Sequence, residues 1–229
     1  MSGFDLIIFD CDGVLVDSEI IAAQVESKLL TQAGYQISAE VLAERFAGLT
    51  WKDILLEVEK ESELPLQASL LDKSEKMIDK RLARDLLPIE GAARAAALIK
   101  GKKCICSNSR SARLKVMLER TGLAPIFGKN VFSAQDTPDV RTKPAPDIFL
   151  HAAKEMQSRP ADTLVIEDSV HGIEGARVAG MRVVGFSGAT HSYPGHADKL
   201  TEAGAETVIH RMSDLPATIE ALSAWSELS

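Results

Sequence analysis

The chain has 229 residues, 45% of them hydrophobic and 26% charged, which excludes a disordered chain and provides for one large domain or one domain with a smaller insert. Its 26 basic residues against 33 acidic ones leave a net charge of −7, which speaks against a generic electrostatic nucleic-acid binder. No stretch approaches the roughly 18 uncharged apolar residues of a membrane span, so no membrane partner is expected. Asp5, Asp10 and Asp12 near the N-terminus do not fit a secretory signal. Cys11, Cys104 and Cys106 each lie in an apolar run and cannot all pair. Reduced thiols and a cytoplasmic setting are the expectation.

In chain order, residues 4–9 (FDLIIF) read as a first strand, short and apolar as strands buried on both faces are. Residues 18–87 carry no strand pattern. Stretches rich in Leu, Glu, Lys and Ala at 20–33, 39–46, 51–60 and 66–86 predict an all-helical insert, with Pro88 and Gly91 punctuating the return. Strands follow at 103–106 (KCIC), 131–132, 163–166 (TLVI), 182–186 (RVVGF) and 207–209. They alternate with helical patterns near 91–99, 111–121, 146–156, 172–179 and 213–224. Such alternation predicts an α/β fold: a Rossmann-like, doubly wound parallel sheet with helices on both faces. Its two pieces are residues 1–17 and 88–229, interrupted by the helical insert at 18–87.

Four short segments carry chemistry. Asp10 and Asp12 follow the first strand and share a face, because strand side chains alternate. Two carboxylates at a sheet edge need compensation, and a divalent cation with oxygen ligands is the simplest source. An Asp-Gly turn in solvent is the plainer alternative. Glu167 and Asp168 bring two more carboxylates after TLVI, facing opposite ways, so that one ligates directly and the other indirectly; Asp168 or Ser169 is also placed to cap the next helix. Ser107, Asn108 and Ser109 after KCIC offer a hydroxyl and main-chain amides suited to a phosphate oxygen, though these are also ordinary turn residues. Lys143 is presented by a loop that Pro144 and Pro146 stiffen. All four fall at one sheet edge, where open α/β sheets bind ligands. Acidic metal ligands, a hydroxyl and a cation are the equipment of phosphoryl transfer.

These segments resemble the haloacid dehalogenase-like hydrolases over nearly the whole chain. DCDGVLVDS at 10–18 matches that family's first motif, Ser107 its second, KPAPDIF at 143–149 its third, and the EDS…GI…A…AGM run from Glu167 to Met181 its fourth, in order. The branch with a helical cap inserted after the first strand, as in β-phosphoglucomutase and many small-metabolite phosphatases, is the most similar. The resemblance implies a phosphatase of a small phosphorylated metabolite, a sugar or sugar-acid phosphate among the options, with Mg²⁺ as cofactor. It implies Asp10 as nucleophile through an aspartyl-phosphate. Asp12 would be general acid and then base, its main-chain carbonyl a metal ligand. Asp168 would be the direct carboxylate ligand, and Glu167 would act mostly through water. Ser107, Asn108 and Lys143 would hold the phosphoryl group. Phe46-Ala47-Gly48 resembles the substrate-specificity loop of the cap, and the flanking Arg45 and Trp51 are the substrate-binding candidates there.

Departures narrow the reading. Asp12 is absent from the dehalogenase branch, and the phosphonate-hydrolysing branch also replaces it. Ala22 stands where the mutase branch carries a histidine, and Trp51, three residues after Gly48, stands where that branch carries a phosphate-binding arginine. The chain is therefore expected to hydrolyse rather than isomerise. A sugar phosphomutase, and an idle binding protein that kept the fold, are the alternatives. Gly172, Gly175 and Gly180 are ascribed to helix–sheet packing, and the five histidines are given no role, although the loop at 188–196 is polar and could border the site. The oligomeric state is not legible in the sequence.

Overall fold

The computed structural model describes residues 3–46, 49–65 and 68–226. A six-stranded, wholly parallel sheet forms the centre. Its strands are β1 (Leu6–Phe9), β2 (Lys102–Ser107), β3 (Val131–Ser133), β4 (Thr163–Glu167), β5 (Arg182–Phe186) and β6 (Thr207–Ile209), in the order β3-β2-β1-β4-β5-β6. In this order the chain winds outward from β1 in one direction, then restarts beside β1 and winds the other way. The topological switch point therefore lies between β1 and β4, where loops diverge and leave a crevice.

The period-two alternation of the strands divides the core. Ile7, Phe9, Ile105, Leu164, Ile166 and Val184 face one side; Leu6, Ile8, Cys104, Cys106, Val165 and Val183 face the other. Helices α5 (Ala92–Leu98), α6 (Ser111–Thr121), α7 (Ala124–Phe127) and α11 (Leu215–Ser226) cover the first side. Helices α8 (Asp147–Glu155), α9 (Val170–Val178) and α10 (His196–Glu202) cover the second. The three cysteines are free and buried. Among the described residues no helix is long and apolar enough to cross a membrane. The short α7 and α10 were not expected from sequence. In α10 only Leu200 and, unusually, His196 are buried, so there is no apolar stripe to detect.

Between β1 and β2 lie the helices α1 (Glu19–Gln32), α2 (Ala39–Arg45), α3 (Trp51–Ser62) and α4 (Ser69–Asp85). Ser38 and Thr50 cap α2 and α3, accepting from the amides of Val41 and Asp53. The expected start of the fourth helix, at residues 66 and 67, falls outside the described residues. Ala23, Leu30, Leu42, Ile54 and Val58 build a small core within this segment, while Ile21, Val25, Ile78 and Leu82 join the main core. The two chain crossings to the sheet run side by side: Asp17 N–H donates to Leu87 O and Ile89 N–H to Leu15 O, both at 3.0 Å.

Candidate active site

The switch point gathers the charged groups. Asp10 leaves β1 with its N–H bonded to Ile166 O at 2.9 Å, so the ends of β1 and β4 are held in register. Asp10, Glu167 and Asp168 are all buried and offer carboxylate oxygens within 4.8 Å of one another. Lys143, also buried, reaches in from the loop before α8. Its ammonium donates to Asp10 Oδ1 at 2.5 Å, Glu167 Oε1 at 2.6 Å and Cys106 O at 2.8 Å. Burial works against the Lys143 charge, yet Asp10 and Glu167 together hold it above the usual lysine range. Burial, against the pull of Lys143 and with the charges of Glu167, Asp168 and Asp12 adding to it, pushes the Asp10 carboxyl well above the usual carboxylate range. Even with the His191 imidazole beside Asp168, one ammonium leaves these acids short of positive charge.

That shortfall is the test of whether the residues fit a metal ion, and they fit. The donor set is all carboxylate oxygen, which suits a hard divalent cation. Two glycines make room for the carboxylates that would hold it. Gly13, at φ +74°, lies where a Cβ would sit 1.9 Å from Asp168 Oδ2, and at Gly172 a Cβ would sit 1.8 Å from Glu167 Oε1. The packing expected of Gly172 is thus against a site carboxylate. Gly175 packs as expected, its would-be Cβ 2.9 Å from Pro144 O.

The two acids of each pair are used differently. Glu167 is already committed: Oε2 accepts from Asp168 N, Ser169 N and Ser169 Oγ, each at 3.0 Å, while Oε1 meets Lys143. Ser169 in turn caps α9 through Gly172 N at 3.0 Å. Asp12 turns away from the carboxylate cluster. Its Oδ1 accepts from Ser18 Oγ at 2.7 Å, and its Oδ2 from Ser109 Oγ at 2.8 Å and Ser107 Oγ at 3.1 Å. The Asn108 amide exchanges bonds with the Lys143 main chain, accepting from Lys143 N at 2.9 Å, so its side chain fixes the lysine loop.

These groups open into a cavity of about 490 Å³ whose far wall comes from α1, α3 and α4. Trp51 lines it, half-buried, its Nε1 donating to Leu70 O at 3.4 Å, and Ala22 lines it too. Arg45 does not reach it. Its guanidinium is spent on Tyr35 and Glu61 and lies 4.9 Å from the Phe46 ring, on an exposed face elsewhere. Ala47 and Gly48 lie outside the described residues.

The sequence reading missed the groups that position the acids. His191 Nε2 lies 3.2 Å from Asp168 Oδ2, and His196 Nε2 bonds the Asp168 carbonyl at 2.8 Å. Asp17 accepts from Thr190 N and Oγ1, drawing this loop to the chain crossing. The polarity of the loop at 188–196 was the available signal. Ser18 and Ser109 lie inside segments singled out from sequence, and the structure bonds their hydroxyls to Asp12.

The model of the haloacid dehalogenase-like hydrolases, a hydrolase family, matches residues 4–180. The chain belongs to that family. A 6-phosphogluconate phosphatase of Escherichia coli (strain K12) is 29% identical over 88% of this chain and 90% of its own. A probable pseudouridine-5'-phosphatase of Drosophila melanogaster is 30% identical over 77% and 79%. Among solved structures, a conserved haloacid dehalogenase-like protein of unknown function from Agrobacterium tumefaciens str. C58 superposes with a TM-score of 0.93 at 63% identity, covering 96% of this chain and 99% of that one. A family hydrolase from Deinococcus radiodurans R1, solved with bound phosphate and sodium, gives 0.84 at 30% identity over 98% of each chain.

Proposed function

We propose that this hydrolase is a magnesium-dependent phosphatase that releases phosphate from a small phosphorylated metabolite, of the sugar or sugar-acid kind, through an aspartyl-phosphate on Asp10. The observation that carries the reading is the pairing of two carboxylates with different surroundings at one strand end. Asp10 is buried among charges beside Lys143, and Asp12 is held by three hydroxyls.

Asp10 is the nucleophile: its carboxylate oxygen bonds to phosphorus as the ester P–O bond breaks. Asp12 gives its proton to the departing alkoxide, so the leaving group departs as an alcohol. Asp12, now ionised, takes a proton from the water that attacks the phosphorus, and the P–O bond to Asp10 breaks, restoring the carboxylate. Lys143 and Ser107 hold the phosphoryl oxygens, with Asn108 fixing the lysine loop. Asp10, Asp168 and the Asp12 main-chain carbonyl would hold Mg²⁺, with Glu167 behind them. Bound there, the ion would supply the positive charge that the carboxylates and the phosphoryl group require.

Residues 18–87 act in this reading as a cap over the core formed by 1–17 and 88–229. The cap closes through Arg110 on Glu75 and Arg113 on Asp79 and hinges at the paired crossings. Ala22 on the cavity wall supports hydrolysis over a mutase reaction, since a methyl group moves no proton. The test is incubation of phosphorylated metabolites and an aryl phosphate with Mg²⁺, with and without excess chelator. Chelator-sensitive phosphate release is expected. An isomeric sugar phosphate as product would make the chain a mutase, and no turnover of any ester would make it an idle binding protein.

A further inference from the structure

Helix α1 presents three distinct faces. Ile21 and Val25 enter the main core, Ala23 and Leu30 the small helical core, and Glu19, Ala22 and Glu26 line the cavity. Positions 19, 22 and 26 fall within one narrow arc of a helix, so the two carboxyls stand about two turns apart on the wall opposite Asp10. Among the described residues neither makes a hydrogen bond or an ion pair, and the mechanism uses neither. Glu26 is half-buried and Glu19 stands exposed at the cavity rim; burial raises Glu26 to about 8, and burial together with the charge of Asp12 also raises Glu19. Once ionised, carboxyls so placed act on whatever fills the space between them and the phosphate site.

The other charges on the wall do not offset them. Arg110 is paired with Glu75, and Arg113 with Asp79. His191, the remaining cationic group that Glu19 feels, sits on Asp168. Lys52, which also lines the cavity, is exposed at the start of α3 and is one cation against two carboxyls. We propose that Glu19 and Glu26 select the leaving group, accepting hydrogen bonds from the hydroxyls of a neutral sugar or polyol and rejecting one that carries a carboxylate. This rests on the phosphatase reading above and narrows it to phosphate esters whose only negative charge is the phosphate. An additional anion between two ionised, unpartnered carboxyls meets like-charge repulsion, whereas hydroxyl donors satisfy both. The chain would then differ in preference from its relative named for 6-phosphogluconate.

Glucitol 6-phosphate and 6-phosphogluconate form a matched pair, identical except for a CH₂OH or a carboxylate at the end remote from phosphate. The experiment measures kcat/KM for both with the Mg²⁺-loaded full chain at about pH 9, where both glutamates are ionised, alongside an aryl phosphate. A second arm titrates the same two esters into the non-turning-over Asp10→Asn variant by calorimetry. The expected result is a preference for the glucitol ester of about tenfold or more in both arms, falling toward unity in the Glu19→Gln, Glu26→Gln double variant. The preference is a ratio within one preparation, so partial unfolding of the variant does not move it. Equal or reversed preference in the native chain, or a ratio unmoved in the double variant, overturns the inference while aryl phosphate turnover leaves the phosphatase reading intact. No turnover of any ester overturns the phosphatase reading and the inference with it.

Discussion

The sheet edge at the ends of β1 and β4 and the helical segment between β1 and β2 follow different rules. At the edge nearly every polar atom is committed. Lys143 has three acceptors, Glu167 Oε2 has three donors, and Asp12 has three hydroxyls. Even absent atoms matter, since Gly13 and Gly172 leave the space that Asp168 and Glu167 occupy. In the helical segment, Ala23, Leu30, Leu42, Ile54 and Val58 need only be apolar and of fitting size, and of the polar groups facing the cavity the Glu19 and Glu26 carboxyls carry no such ties. Chemistry is built into the rigid edge, and selectivity into the tolerant wall opposite.

Substitutions should separate the two regions, the edge giving the larger effects. Asp12→Asn keeps the main-chain carbonyl but removes the proton carrier. Turnover of a sugar phosphate should fall by about 10²–10⁴-fold, and the first step with an aryl phosphate by much less, because its leaving oxygen needs no proton. Single-turnover rates with both esters check this; an equal loss for both would remove Asp12 from the general-acid role.

Gly172→Ala drives a methyl group into a carboxylate that Lys143 and Ser169 prevent from moving aside. Metal affinity should drop by about 10–100-fold, the range seen when the support of a ligand is disturbed. Calorimetric Mg²⁺ titration gives the value. Removal of the metal should also show in stability. At an Mg²⁺ concentration about 100 times its Kd, the native chain should gain roughly 2.7 kcal/mol, or about 5–10 °C in Tm, over the chelated protein. Asp168→Asn should lose most of that gain, as scanning calorimetry would reveal.

The smallest effect belongs to the surface pairs between the two regions. Arg113→Ala breaks a partly exposed ion pair with Asp79, worth about 0.2–1 kcal/mol. Stability should barely change, and scattering in added salt should report a wider opening between α4 and α6. Unchanged scattering would show that the Arg113 pair is not needed and that Arg110 on Glu75 together with the shared apolar contacts of Ile78 and Leu82 holds the segment in place.

The same contrast explains what could be read without coordinates. The β1 and β4 motifs stood out because each places two carboxylates at a strand end of the same sheet edge, although the alternation of side chains did not foretell that adjacent Glu167 and Asp168 both reach Asp10 while Asp12 turns to three hydroxyls. Lys143 stood out because two prolines mark its loop. Arg45 did not fare so well, since nothing in its neighbourhood reveals that Tyr35 and Glu61 claim its guanidinium. His191 and His196 escaped notice because they reach Asp168 from a distant loop, a contact only the tertiary fold creates. Glu19 and Glu26 look like any solvated helix face until the cavity beside them is seen.

The most direct measurement is mass spectrometry of the acid-quenched enzyme during turnover of a phosphate ester with Mg²⁺. Phosphate should be found on the peptide containing Asp10, and it should be absent from the Asp10→Asn variant, whose turnover should fall by about 10⁴-fold or more. Phosphate on another residue, or the same labelling in the Asp10→Asn variant, would contradict the assignment of the sheet edge as the site of phosphoryl transfer.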